Sequence, residues 1–263
     1  MAQIITRVKQ KQIAELIAKE KRLDGRDLPD YREMKIEQGI IERAEGSARI
    51  LLGKTEVVVG IKIETGEPFP DTPNEGVLTV NAELTPIASP AFEPGPPGEE
   101  SIEIARIVDR GIRESRAIDT EKLVIEPGKK VFIVFVDVYV LNHDGNLIDA
   151  SALAAMAALL NTKMANYEIK EGEIKIKPGY EKLPIKRHPI TVTVAKIGNK
   201  LVVDPLLEEE QVMDARISMA IDEDAHICAI QKGGSGYFEP NEVLEAAKMA
   251  ETKAKEIRKK LNW

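Results

Sequence analysis

Three arginines form the most regular chemical pattern in the chain. Arg106, Arg110 and Arg113 follow i, i+4, i+7, so on a helix they share one face. That face lies roughly opposite an apolar stripe of Ile104, Ile107, Val108, Gly111 and Ile112. Guanidinium forks grip phosphate oxygens, and three in a row suit a nucleic-acid backbone. The plainer reading is a solvated face in which Glu103 and Asp109 pair with Arg106 and Arg113. A second candidate is the acidic run Asp204, Glu208, Glu209, Glu210 and Asp214. Paired carboxylates can move protons or hold Mg²⁺, although charge runs at strand ends are commonly just solvated.

Other patterns carry less. Gly53-Lys54-Thr55 ends like a phosphate-cradling P-loop, but the full motif needs a glycine where Ala48 stands. It also needs a helix afterwards, and a strand follows. His143, His188 and His226 lie far apart and form no H-E-x-x-H pair, so no metal site and no cofactor are expected. Gly233-Gly234-Ser235-Gly236 can either hold an anion on backbone N–H groups or simply connect two elements. The single Cys228 excludes a disulfide framework and a cysteine zinc cage.

The elements that must position these groups follow from periodicity. Ile13, Leu16 and Ile17 recur at helical spacing, and Asp24-Gly25-Arg26 ends that helix. Strands are expected over 34–38, 40–43, 48–52 and 57–64, with turns at Glu45-Gly46 and Gly53-Lys54. A further strand covers 77–84, and a proline-rich stretch over 90–98 forms an extended loop. Ser101 is a candidate N-cap for the arginine helix, which runs to about 115. The run 131–141 reads as a strand buried on both faces, and 150–160 as an Ala-rich helix set close to a sheet. A Lys-, Gly- and Pro-rich linker is expected over 172–189. Then come a hairpin across Gly198-Asn199, strands over 217–221 and 226–231, and a terminal helix over 242–261.

Composition sets the outer limits. The 263 residues carry 37 basic and 44 acidic side chains, a net −7, which excludes a globally cationic nucleic-acid binder but not a local basic patch. Apolar residues at 43% and charged ones at 31% suit a folded chain. No apolar run approaches the roughly 20 residues of a membrane helix. The first twenty residues lack the apolar core of a signal peptide, so a cytoplasmic protein without membrane contact is expected.

Taken in order, several segments resemble the RNase PH family. They are Asp24-Gly25-Arg26, Ala44-Glu45-Gly46-Ser47-Ala48, and Leu52-Gly53-Lys54-Thr55-Glu56-Val57. Arg106-Ile107-Val108-Asp109-Arg110-Gly111-Ile112-Arg113 is similar to that family's basic helix. Ile148-Asp149-Ala150-Ser151-Ala152-Leu153 and Val202-Val203-Asp204-Pro205 resemble its later landmarks. The resemblance covers nearly the whole chain, from about residue 23. It implies an α+β, RNase PH-like fold with two β-sheet/helix halves in one chain. The implied divisions are an N-terminal helix and arm over 1–28, a core domain over 29–170 and a C-terminal domain over 187–263. Members are phosphorolytic 3′→5′ exoribonucleases, or inactive relatives, that assemble as six-membered rings. They hold phosphate on a Gly-Thr/Ser-Arg segment before the Ala-rich helix, and two Asp residues after a late strand complete the site.

This chain departs from that pattern at the points that matter. Aligning Asp149-Ala150-Ser151-Ala152 on the family's Asn-Ala-Ala-Thr puts Asp144 at the phosphate-binding Arg. An anion there opposes phosphate, and no Arg or Lys stands between Lys130 and Lys163 to replace the cation. Anchoring Asp204 places Glu210 at the first catalytic acid and Arg216 at the second. No catalytic residue is therefore expected. The chain resembles the non-catalytic ring subunits of archaeal exosomes, which implies a hetero-hexamer of three heterodimers with an active paralogue. The other implied partners are RNA-binding cap subunits and single-stranded RNA, with Arg106, Arg110 and Arg113 as phosphate contacts. The rival reading is an active phosphate-dependent 3′→5′ exoribonuclease that uses Glu210.

Overall fold

A computed structural model describes residues 7–170, 173–261 and 263 of the chain. Helix α1 (Arg7–Ala18) precedes strands β1 (Met34–Gln38), β2 (Gly46–Leu52), β3 (Thr55–Gly66) and β4 (Val77–Leu84). Helix α2 (Glu99–Glu114), a 3-10 turn (Thr120–Leu123), β5 (Val124–Glu126) and β6 (Lys130–Asn142) lead to helix α3 (Leu147–Leu160). Strands β7 (Lys163–Lys170) and β8 (Glu173–Lys182) form a ribbon of their own. The second half holds β9 (Ile190–Ile197), β10 (Lys200–Val203), the single turn α4 (Leu207–Glu210), β11 (Ala215–Ile221), β12 (Ile227–Gly233) and α5 (Pro240–Leu261).

Helix α3 explains the layering. It is apolar around nearly its whole circumference, so it can be satisfied only when covered on all sides. One side packs on β2 and β3 of the first sheet, ordered β1-β2-β3-β6-β4, and the other on β9 of the second, ordered β10-β9-β11-β12. Its alanines let both sheets approach. Helix α2 lies beside it against β4, and α5 sets Ala246, Ala250, Ala254 and Ile257 on the outer face of the second sheet. One apolar core runs from Ile50 and Val138 through Leu153 to Val192 and Met219, so the two halves share an interior. Helix α1 seals a satellite cluster, with Ile13 and Ile17 against Ile197 and Val202 of the second half.

Several local expectations need correction. Helix α2 starts at Glu99 from Gly98, and Ser101 sits inside it with its hydroxyl donating to the Gly98 carbonyl at 3.0 Å. The expected linker over 172–189 contains β8, whose backbone pairing with β7 overrides an unpromising composition. Strand β6 is fully buried on one face only; its other face carries half-buried Ile133 and Phe135 and exposed Tyr139. Residues 40–43 form a loop and turn rather than a strand. Gly46 begins β2, opposite Ile61, instead of turning, and only glycine fits there because a Cβ would press on the Ala158 carbonyl at 2.6 Å where α3 crosses. No described helix is long and apolar enough to cross a membrane.

Candidate functional site

The site begins at the loop that feeds α3. Asn146 is the helix N-cap and takes a left-handed conformation (φ 53°), with its side chain accepting from the Asp149 N–H. Gly145 before it is also left-handed (φ 91°), and any side chain there would collide with the backbone of residues 205–207. The loop is therefore clamped against the second half.

Its amides are already committed. The Asp144 N–H donates to Thr55 Oγ1 at 3.2 Å, and the Gly145 N–H points at His143 Nδ1, 3.4 Å away. The Asn146 N–H donates to Glu210 Oε1 at 2.9 Å. A helix N-terminus is a natural anion site, and here the anion is a carboxylate of the chain itself. Thr55, from the P-loop-like triplet, donates to the Gly145 carbonyl at 2.7 Å; its role is to pin this loop.

Glu210 and Arg216 line a cleft of about 320 Å³ with Glu100, Glu103 and His143, walled by Phe92, Ile104, Leu147 and Met213. Arg216 donates to Glu103 Oε2 at 2.5 Å, so the only cation lining the cleft is already neutralised. Burial pushes Glu210 up to about 7 despite the Asn146 N–H and the attraction of Arg216. His143, stacked on Phe92 at 5.4 Å, is lowered to about 4 by burial and by Arg32, so it is neutral near pH 7. Burial also raises Asp144 against the pull of Arg32 and Lys54. Three carboxyl groups facing one paired guanidinium make a poor seat for phosphate.

The nearest strong cation is turned elsewhere. Asp204 is fully buried, and Arg32 grips it bidentately, Nη2 to Oδ1 at 2.7 Å and Nε to Oδ2 at 2.9 Å. Arg26 reaches Asp204 Oδ2 at 3.0 Å, and Asn146 Nδ2 reaches Oδ1 at 2.8 Å. Arg22 donates to the Asp204 carbonyl at 2.7 Å and pairs with buried Glu209 at 2.6 Å. Asp204 and Glu209, two members of the acidic run, are thus structural anions. Beside them Asp149 accepts from Tyr31 at 2.6 Å and from the Thr193 hydroxyl at 2.7 Å, tying α3 to β9. Burial raises Asp149 to about 6 in spite of those donors.

The arginine helix forms as expected, but its three side chains differ. Arg106 is exposed and has no hydrogen bond or ion pair among the described residues; Glu103 is taken by Arg216. Among the described residues Arg110 has one hydrogen bond, to Gln231 Oε1 at 3.2 Å. Arg113 is held by Asp109 at 2.6 Å and donates to the Leu78 carbonyl at 3.1 Å. The glycine loop after β12 packs on Asp214, whose carbonyl accepts the Gly236 N–H at 2.7 Å, so it serves as a connection. Of the three scattered histidines, His226 gathers with Asp222 and Asp224. Asp222 there is engaged by Arg187 and by the turn amides of Asp224 and His226.

Two family models match the chain: 3′ exoribonuclease family domain 1 over residues 30–165 and domain 2 over residues 188–253. The chain belongs to the 3′ exoribonuclease (RNase PH) family. Among its relatives is exosome complex component Rrp42 of Thermococcus kodakarensis, 54% identical, with 98% of this chain and 96% of that protein covered. Its counterpart in Pyrococcus horikoshii is 57% identical, covering 98% and 94%. A solved Archaeoglobus fulgidus exosome with RNA bound to the active site contains a chain similar at TM-score 0.89 and 46% identity, covering 97% and 98%. Against this RNase PH fold, the α3 loop, Glu210 and Arg216 do converge on one cleft. Sequence reasoning missed Glu100 in that cleft, and it missed Arg22, Arg26 and Arg32. The Asp-Gly-Arg signal pointed at Arg26 without revealing its partner.

Two outcomes follow. Asp204→Asn should lower unfolding free energy in urea by about 3 kcal/mol or more, because buried arginines lose their counter-charge. Glu210 and Asp149 hold protons more tightly folded than unfolded, so the stability they confer is full at low pH and lost as pH rises through about 7 and about 6. Glu210→Gln should flatten the decline between pH 4.5 and 7 in a pH series of urea midpoints.

Proposed function

We propose that this chain is a non-catalytic ring subunit of an exosome-type assembly, supporting 3′→5′ phosphorolysis by an active paralogue. The observation that carries this reading is the loop before α3: its Asn146 N–H is taken by Glu210, it carries Asp144, and the guanidinium lining the adjoining cleft, Arg216, is paired with Glu103. An enzyme that must hold inorganic phosphate beside a working acid needs a free cation, and the guanidinium lining this cleft is already paired with Glu103. The similarity to exosome components over nearly the full length supports the assembly, with three copies of this chain alternating with three of the paralogue. Cap subunits and a cytoplasmic location belong to the same reading, as do an arm over 1–28 and domains over 29–170 and 187–263.

RNA contact falls mainly to Arg106, whose guanidinium is exposed and without a partner among the described residues. Arg110 follows, needing to give up only Gln231, while Arg113 adds charge from a tethered position. Such contacts hold the backbone without reading sequence. In the assembled ring, Arg106→Glu should weaken retention of single-stranded RNA about tenfold or more, measured by filter binding at fixed salt, with folding unchanged. Arg113→Glu should cost less. Nucleoside diphosphate release should require the paralogue, and release by this chain alone would establish the enzymatic alternative.

A further inference from the structure

The outer edge of the first sheet is only half sealed. Strand β4 has a single neighbour, β6, so one row of its backbone groups points away from the sheet. At its start that row is satisfied: the Gly76 N–H donates to the Thr120 carbonyl at 2.9 Å, and the Leu78 carbonyl accepts Arg113 Nη2 at 3.1 Å. The pleat repeats every two residues, so Val80 and Ala82 present the next outward groups. No hydrogen bond from the described residues reaches them on that side. An exposed edge is usually blocked by a lysine, a proline or a bulge, and β4 has none of these.

A groove of about 670 Å³ runs along this open end, between residues 82–86 and the 90–98 loop. The facing wall contains Pro94, Pro96 and Pro97, which have no N–H with which to pair across the gap. Its floor is apolar, at Ala82, Leu84 and Phe92. Glu83, Glu93, Glu99 and Glu100 rim it, all exposed, and no Lys or Arg lines it.

We propose that this groove receives an extended, basic segment of a partner polypeptide, added as a further strand on β4. Main-chain hydrogen bonds to Val80 and Ala82 would supply register, and alternate Lys or Arg side chains would meet the carboxylates. Four carboxylates disfavour a nucleic-acid strand over residues 82–86; Arg106 lines the adjoining recess beside Val80 and Asn81, so the basic side chains of the added segment would lie at the Ala82 end of the edge. The inference requires only the open edge, so it stands or falls independently of the ring reading.

The test uses the full chain and a labelled, end-capped octapeptide of alternating Lys and Val, followed by fluorescence anisotropy and amide hydrogen exchange. Saturable binding is expected, with slowed exchange at Val80 and Ala82. A Glu-Val octapeptide, and a Lys-Val peptide N-methylated on alternate nitrogens along the β4-facing edge, should each bind at least about tenfold more weakly. E93K/E99K, two exposed changes outside the core, should weaken the Lys-Val probe to a similar degree while leaving the circular dichroism spectrum unchanged. Failure of the Lys-Val probe to bind, equal binding of the N-methylated or Glu-Val peptide, or protection of the same amides by oligoadenylate would each overturn the proposal.

Discussion

Asp204 is the constraint around which the molecule is organised. Fully buried and held in a left-handed backbone conformation (φ 50°), it receives Arg26 and Arg32 from the segment between α1 and β1 and Asn146 from the loop before α3. Its own carbonyl takes Arg22. Three parts of the chain far apart in sequence therefore meet at one carboxylate. In a low-dielectric interior each of these cations must keep its partner, because an unpaired buried charge costs several kcal/mol. The arginines cannot be lent to a ligand without loosening the join between the two halves.

That commitment governs the chemistry. A family built to bind phosphate at the start of the Ala-rich helix needs positive charge and unoccupied amides there. Here Arg32 also donates to the Asp144 carbonyl at 2.7 Å and the Gly145 carbonyl at 3.1 Å, so it fixes the loop while facing inward. Glu210, at the position of an acid, has become the ligand of the Asn146 amide. Arg216, at the position of the second acid, is neutralised by Glu103 from the arginine helix. Both groups therefore face the cleft with partners from the chain itself. The outward surface of the same helix leaves Arg106 exposed.

Much of this was legible in residue order. Helical spacing located the arginine face, and period-2 alternation located most strands. The charges of Asp144 and Arg216 are plain in the sequence; the fold adds their neighbours, Arg32 and Glu103. What the chain could not disclose depends on pairing across distance. Arg22, Arg26 and Arg32 look like ordinary surface charges until the fold carries Asp204 to them, more than 170 residues away. Strand β8 is Lys-rich and contains a proline and a glycine, and becomes a strand through its partner β7. Strand β6 looks doubly buried because its apolar run is continuous, yet only one of its faces meets a helix layer. Spacing also made the three arginines equivalent, whereas the edge of β4 captures Arg113 alone.

The most direct measurement is an orthophosphate titration of the purified chain, followed by ¹⁵N chemical shifts of the Asp144, Gly145 and Asn146 amides near neutral pH. With those positions held by Glu210 and its neighbours, the shifts should stay flat up to high millimolar phosphate beyond the matched-salt control. A saturable, phosphate-specific shift at these amides would mean that the anion site is open, and would contradict the account.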